Sequence, residues 1–170
     1  NIWIASRLAS LIPNTSSIHF GILNSLRSWN FFDLDPSIKC FSNVGGFGID
    51  GELSSLFGAS FSNPGKLFFG VIGDLAFFYD MNSLGNRHIR SNVRILLVNN
   101  GKGTEFKQFF HPAAIFGGAA DEYIAAAGHF GNKSKDLVKY YAQALGFEYL
   151  FAGNKSQFEE VYERFVSPDL

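Results

Sequence analysis

The feature that most constrains this chain is a regular exchange between two kinds of segment. Apolar, β-rich runs stand at 17–22 (SIHFGI), 38–41 (IKCF), 66–72 (KLFFGVI), 93–99 (VRILLVN) and 147–152 (FEYLFA). Stretches of helical spacing lie around and between them at 1–12, 24–32, 51–61, 80–88, 120–130, 134–145 and 157–166. Strands that alternate with helices imply a parallel sheet covered on both faces, and near-continuous apolar strands fit such burial. The expectation is one three-layer α/β/α domain over 1–170, with a mostly parallel sheet of five to six strands. At 170 residues a sizeable core is available.

Charge limits the partners. Fourteen basic and fifteen acidic side chains give a net charge of −1, so no overall field collects nucleic acid or an anionic membrane. No apolar run approaches the length of a membrane span. The single Cys40 excludes an intrachain disulfide and fits a reducing, cytoplasmic setting; within IKCF it reads as an inert core thiol. The chain starts at Asn1 on an amphipathic segment without secretion-signal features and ends at SPDL, so it reads as a fragment of something longer.

In a doubly wound sheet, ligands bind beyond the carboxyl ends of the strands. Two motifs stand there. The first is SNVGGFGIDGELSSLFG at 42–58, where Gly46, Gly48 and Gly51 match G-x-G-x-x-G and Asp74 follows Gly51 by 23 positions. That pattern permits an NAD(P)-binding oxidoreductase domain, with Asp74 on a ribose. It equally permits a tight strand-to-helix turn capped by Asp50.

The second motif runs from Gly73-Asp74 to Asn99-Asn100, an acid and an amide 26 positions apart with one helix and one strand between them. A right-handed crossover places both at the same edge of the sheet. An anionic and a neutral oxygen together suit Mg²⁺, which takes its remaining ligands from phosphates and water, and main-chain amides after Asp74 would face the same phosphates.

Gly-Asp closed by Asn-Asn at this spacing resembles the cofactor motif of the thiamine diphosphate-dependent enzymes. NVGGFGIDGELSS followed by GDLAFFYDMNSL is most similar to the succinyl-enolpyruvyl-hydroxycyclohexene-carboxylate synthases of the menaquinone pathway, in which GIDG and GDL-x-x-x-YD-x-N occur together. The resemblance covers essentially the whole chain but only the diphosphate-binding domain of that family.

It implies Mg²⁺ ligands at Asp74, the Asn100 side chain and the Lys102 carbonyl, with diphosphate contacts around Gly73, Leu75, Ala76 and Asn82. It makes Ile49 the aliphatic wedge that bends the cofactor so that its own aminopyrimidine acts as internal base. The Phe47 carbonyl, Gly48 and the Ile49 N–H would then hold the pyrimidine edge. Two arginines that serve substrate carboxylates in the synthases are replaced here by Trp29 and Val44. A more apolar substrate wall, for a plain 2-oxo acid or a less carboxylate-rich acceptor, is the implied consequence. The resemblance also implies that a catalytic Glu comes from a separate pyrimidine-binding domain, usually of the partner subunit in a homodimer or homotetramer. This piece alone would then be inactive, and a non-catalytic relative retaining the fold remains a further reading.

His19, His88, His111 and His129 show no metal-ligand spacing, and His111, in the loop after NNGKGTEF, is the one with potential to reach a substrate. The aromatic groups Phe77-Phe78-Tyr79 and Phe106, Phe109, Phe110 read as core or interface packing, with an exposed apolar patch expected on that side.

Overall fold

The computed structural model describes residues 1–46, 48–124, 134 and 136–169. Helices α1 (Ile2–Leu8), α2 (Asn24–Trp29), α3 (Glu52–Phe61), α4 (Asp74–Asp80), α5 (Leu137–Ala144) and α6 (Lys155–Val166) accompany strands β1 (Ser17–Phe20), β2 (Lys39–Ser42), β3 (Phe68–Gly73) and β4 (Val93–Val98). The strands form one parallel sheet in the order β2-β1-β3-β4.

Alternation along the strands divides the core. Phe69 and Val71 of β3 join Ile18 and Phe20 of β1 in a cluster under α1, α2 and α6. Phe68 and Ile72 turn the other way, with Val93, toward Leu53, Leu56 and Phe57 of α3 and Ala76 and Phe77 of α4. Successive side chains of a strand point to opposite faces, so a strand buried on both sides is apolar throughout, as β3 is. The approach of α3 is close at Gly70, where a Cβ would stand 2.6 Å from Leu56 Cδ2.

Several expectations need correction. The sheet has four strands among the described residues, and FEYLFA is not one of them. Its Phe147 packs in the α3/α4 layer and its Ala152 in the opposite layer, so the run carries side chains from one core to the other without laddering. The helix expected over 80–88 begins at Asp74 and gives way to a 3-10 turn, Met81–Gly85. Instead of a helix over 120–130, two 3-10 segments occupy Pro112–Tyr123, broken at Gly117, and 125–130 lie outside the described residues. Cys40 is exposed, because β2 is an edge strand with little covering it.

The connections decide where a ligand would go. The chain passes from β1 to β2 on one side and from β2 across to β3 on the other, so the switch point lies between the carboxyl ends of β1 and β3. No helix among the described residues is long and apolar enough to cross a membrane.

Candidate functional site

Asp74 is made buried by its position. Gly73 ends β3 in extended conformation, α4 starts at once, and the first residue of that helix is left between strand end and neighbouring loop, 3 % exposed. Its Oδ1 accepts the Leu75 N–H at 2.8 Å, and its Oδ2 accepts the N–H of Gly101. β3 and β4 are in register with Gly73 opposite Val98, so the residues just beyond each strand meet. Gly101 has φ of 89°, a conformation glycine adopts without penalty, and this turns the chain back toward Asp74. Asn100 is exposed, and its Oδ1 accepts the Lys102 N–H at 3.3 Å.

The structure therefore clasps the acid at the end of β3 to the turn that carries Asn100 and Lys102. No group of three or more His, Cys, Asp or Glu side chains is placed to hold a metal among the described residues. A cation here would need a mixed set of carboxylate, amide and main-chain oxygens. Those are hard donors of the kind Mg²⁺ takes.

The other predicted residues fall into three groups. Gly48 and Ile49 lie half-buried before α3, with Ile49 packed on the α3/α4 core. Ala76 is buried in that layer, Leu75 is half-buried, and Asn82 is exposed on the 3-10 turn after α4. Phe47 lies outside the described residues, as does His129.

Trp29 and Val44 do not make a common wall. Trp29 is 3 % exposed in the opposite core, its ring 5.4 Å from that of Phe20, because the last turn of α2 faces the sheet; Val44 is exposed in the loop after β2. His111 Nδ1 accepts the Ala113 N–H at 3.1 Å and its ring meets Phe106 edge-on at 4.9 Å. The imidazole thus caps the Pro112–Tyr123 segment. Phe77 is core and Tyr79 of α4 is exposed; Phe109, Phe110, Ile115, Phe116 and Tyr123 are exposed on the loop after β4, where apolar exposure was expected.

Two acids were not given roles by sequence reasoning. Asp50 does not cap α3; Gly51, with φ of 81°, occupies the cap position, and Asp80 of α4 receives both the N–H and the hydroxyl of Ser54. Glu52 turns inward from the first turn of α3 to 6 % exposure. Its Oε1 accepts the Ile22 N–H at 2.8 Å, and its Oε2 has no hydrogen-bond partner among the described residues. Burial, aided by the nearby Asp80 charge, pushes the Glu52 carboxyl up to about 7. The only signal for Asp80 was its place in the YD of the second motif. Glu52 carried none, since an acid in a first helical turn normally reads as a solvated dipole partner.

Helix α2, which follows β1, is joined to the loop after β4. Asn24 Nδ2 donates to Thr104 Oγ1 at 2.8 Å, and Arg27 pairs with Glu105 at 3.1 Å.

Over 165 residues the chain is 34% identical to a 2-succinyl-5-enolpyruvyl-6-hydroxy-3-cyclohexene-1-carboxylate synthase of Bacteroides fragilis, covering 96% of this chain and 28% of that protein. By sequence, the chain is a relative of these synthases. The synthase of Bacteroides thetaiotaomicron is 35% identical over 164 residues, and that of Phocaeicola vulgatus 32% identical over 170 residues. These alignments take in 95% and 99% of this chain and 28% of each relative. The chain thus spans little more than a quarter of the length of the curated relatives it matches. No family model matches it. The α/β fold with a parallel sheet is compatible with a thiamine diphosphate-binding fold.

Proposed function

We propose that the chain is the diphosphate- and Mg²⁺-binding domain of a thiamine diphosphate-dependent enzyme, a lyase or transferase that decarboxylates a 2-oxo acid and joins the product to an acceptor. The observation that carries this reading is the clasp between Asp74 and Gly101, which holds the acid beside the turn of Asn100 and Lys102. In this reading Asp74, the Asn100 carboxamide and the Lys102 carbonyl hold Mg²⁺. Gly73, Leu75, Ala76 and Asn82 border the diphosphate, and Phe47, Gly48 and Ile49 border the pyrimidine. When bound, the cofactor supplies a nucleophilic carbon and an electron sink for decarboxylation. The chain's own residues bind, orient and exclude water, which is positional catalysis.

The same reading requires a Glu from a pyrimidine-binding domain, with the enzyme working in the cytoplasm as a homodimer or homotetramer, so the chain alone is inactive. The exposed apolar loop after β4 suits contact with such a domain. Val44 in place of an arginine favours a 2-oxo acid or an acceptor with fewer carboxylates; Trp29, being core, adds nothing to that argument.

The dinucleotide alternative is weaker on topology. A dinucleotide fingerprint follows a strand beside the switch point, whereas the Gly46-Gly48-Gly51 turn follows the edge strand β2. Calorimetric titration separates the two: thiamine diphosphate should bind only with Mg²⁺ and be lost in Asp74→Ala. Metal-independent binding of NAD(P) would refute the proposal.

A further inference from the structure

We propose that Glu52 is a positioning residue whose buried carboxyl holds the turn after β1, and through it the loop that follows Asn100 and Lys102. The arrangement stands on this chain's own contacts, and only what the loops bind rests on the thiamine diphosphate reading.

Glu52 reaches the switch point between β1 and β3 from the start of α3. The β1–β3 ladder extends one residue past β1, where Gly21 N–H donates to Val71 O at 2.7 Å. The next N–H, that of Ile22, is met by the Glu52 carboxyl at 2.8 Å in buried surroundings. Gly21 leaves the carboxyl its place, because a Cβ there would lie 2.7 Å from Glu52 Oε2 and 3.3 Å from Val71 O and would crowd it. A carboxyl with one buried oxygen unpartnered among the described residues is unfavourable compared with a leucine in the same place. Its compensating contribution is the acceptor that a hydrocarbon cannot supply.

The backbone immediately after Ile22 explains why an anchor is needed there. Leu23 has φ of 64° and ψ of −121°, backbone values that a residue with a Cβ rarely adopts and that persist only where neighbouring contacts over-determine them. One side of Leu23 is fixed by the Ile22–Glu52 bond. The other is fixed by α2, in which Arg27 N–H donates to Leu23 O at 2.8 Å and the Asn24 side chain reaches Thr104 at 2.8 Å. Thr104 lies two residues beyond Lys102. Contacts thus run from Glu52 through Ile22, Leu23 and Asn24 to the loop after β4.

The test compares Glu52→Leu, Glu52→Gln and Glu52→Leu/Leu23→Gly in the 170-residue chain without ligand, by amide hydrogen exchange and NMR shifts. Glu52→Leu should speed exchange at Ile22 at least tenfold and move the Asn24 and Thr104 signals. Glu52→Gln keeps the acceptor for Ile22 and should leave all three as they were. Adding Leu23→Gly should return the Asn24 and Thr104 signals, because glycine adopts this backbone unaided. Unmoved Ile22, Asn24 and Thr104 signals in Glu52→Leu would overturn the role. So would a double variant no closer to the unaltered chain than Glu52→Leu, or, should Glu52→Leu not fold, a Glu52→Gln chain with its Ile22 protection lost.

Titration of the unaltered chain with Mg²⁺ and thiamine diphosphate runs in parallel. Absence of binding there, with the Glu52 effects intact, counts against the cofactor reading alone. Binding there, with the three signals unmoved in Glu52→Leu, counts against the positioning role alone.

Discussion

Asp80, the last residue of α4, accepts two hydrogen bonds from Ser54, the third residue of α3: the backbone N–H at 2.7 Å and the hydroxyl at 2.6 Å. The helix that follows the glycine motif is therefore capped by the helix that follows the Gly-Asp motif. Gly51 has no side chain with which to do this itself. Asp80→Ala removes a charged acceptor from a buried cap and should cost about 2–3 kcal/mol. Asp80→Asn keeps one acceptor oxygen and should cost roughly half as much. Urea unfolding midpoints read the difference, and an unchanged midpoint in Asp80→Ala would show that the cap contributes nothing.

Glu52 sets a pH dependence. Its carboxyl stands at about 7 in the fold against an ordinary 4.5, so folding favours the protonated form. That contribution is complete below pH 4.5 and is lost as pH rises through 7, and a difference of this size corresponds to roughly 3 kcal/mol. Half-buried His19 works against it, since desolvation lowers its value and makes stability rise with pH below 6.5. Asp35, Glu148 and Glu159 are held below the ordinary range by Ser37, Arg164 and Arg7, so their effect belongs to more acid conditions. Stability measured from pH 4.5 to 8 should thus fall more steeply in the unaltered chain than in Glu52→Gln. Parallel curves for the two proteins would refute the assignment.

These acids mark how far the sequence could be read. Strand–helix alternation located β1 to β4 because burial on both faces leaves unbroken apolar runs, and FEYLFA failed because its aromatics serve two cores without a ladder. Asp74 and Asn100 were legible as a pair because one crossover fixes their spacing, and the register of Gly73 with Val98 brings their turns together. Asp80 and Glu52 were not, since their partners, Ser54 and Ile22, lie 26 and 30 positions away without any periodic pattern. Cys40 was misjudged as core because an apolar run does not say whether its strand is central or at an edge.

Gly70 records how tightly α3 lies on the sheet. A methyl group there would meet Leu56, itself fully buried, at 2.6 Å. Gly70→Ala should lower stability by about 1–3 kcal/mol through overpacking. Adding Leu56→Ala should recover part of that loss. A neutral Gly70→Ala would mean that the α3–β3 contact yields without cost.

The exposed position of Cys40 is open to chemical test. A native-state reaction with an uncharged maleimide should modify one thiol completely, because the side chain is accessible on the edge strand β2. Partial burial pushes the thiol pKa up, so the rate at neutral pH should fall below that of a free cysteine peptide. Protection until the protein unfolds would place Cys40 in the core after all.

Asp74 carries two separable expectations. Without metal, its Oδ2 accepts the N–H of Gly101, a buried group. Removing that acceptor in Asp74→Ala should cost about 1–3 kcal/mol, and Asp74→Asn less, since a carboxamide oxygen can still accept. With Mg²⁺ and thiamine diphosphate, the melting temperature of the unaltered chain should rise by mass action. Asp74→Ala should lose that rise and Asp74→Asn should lose most of it, because a carboxamide oxygen is a weaker Mg²⁺ ligand than a carboxylate. A ligand-induced shift retained in Asp74→Asn would mean that the carboxylate clasps the loop without binding the metal. The structural role of the side chain and its proposed binding of metal are thereby read from melting curves without and with ligand.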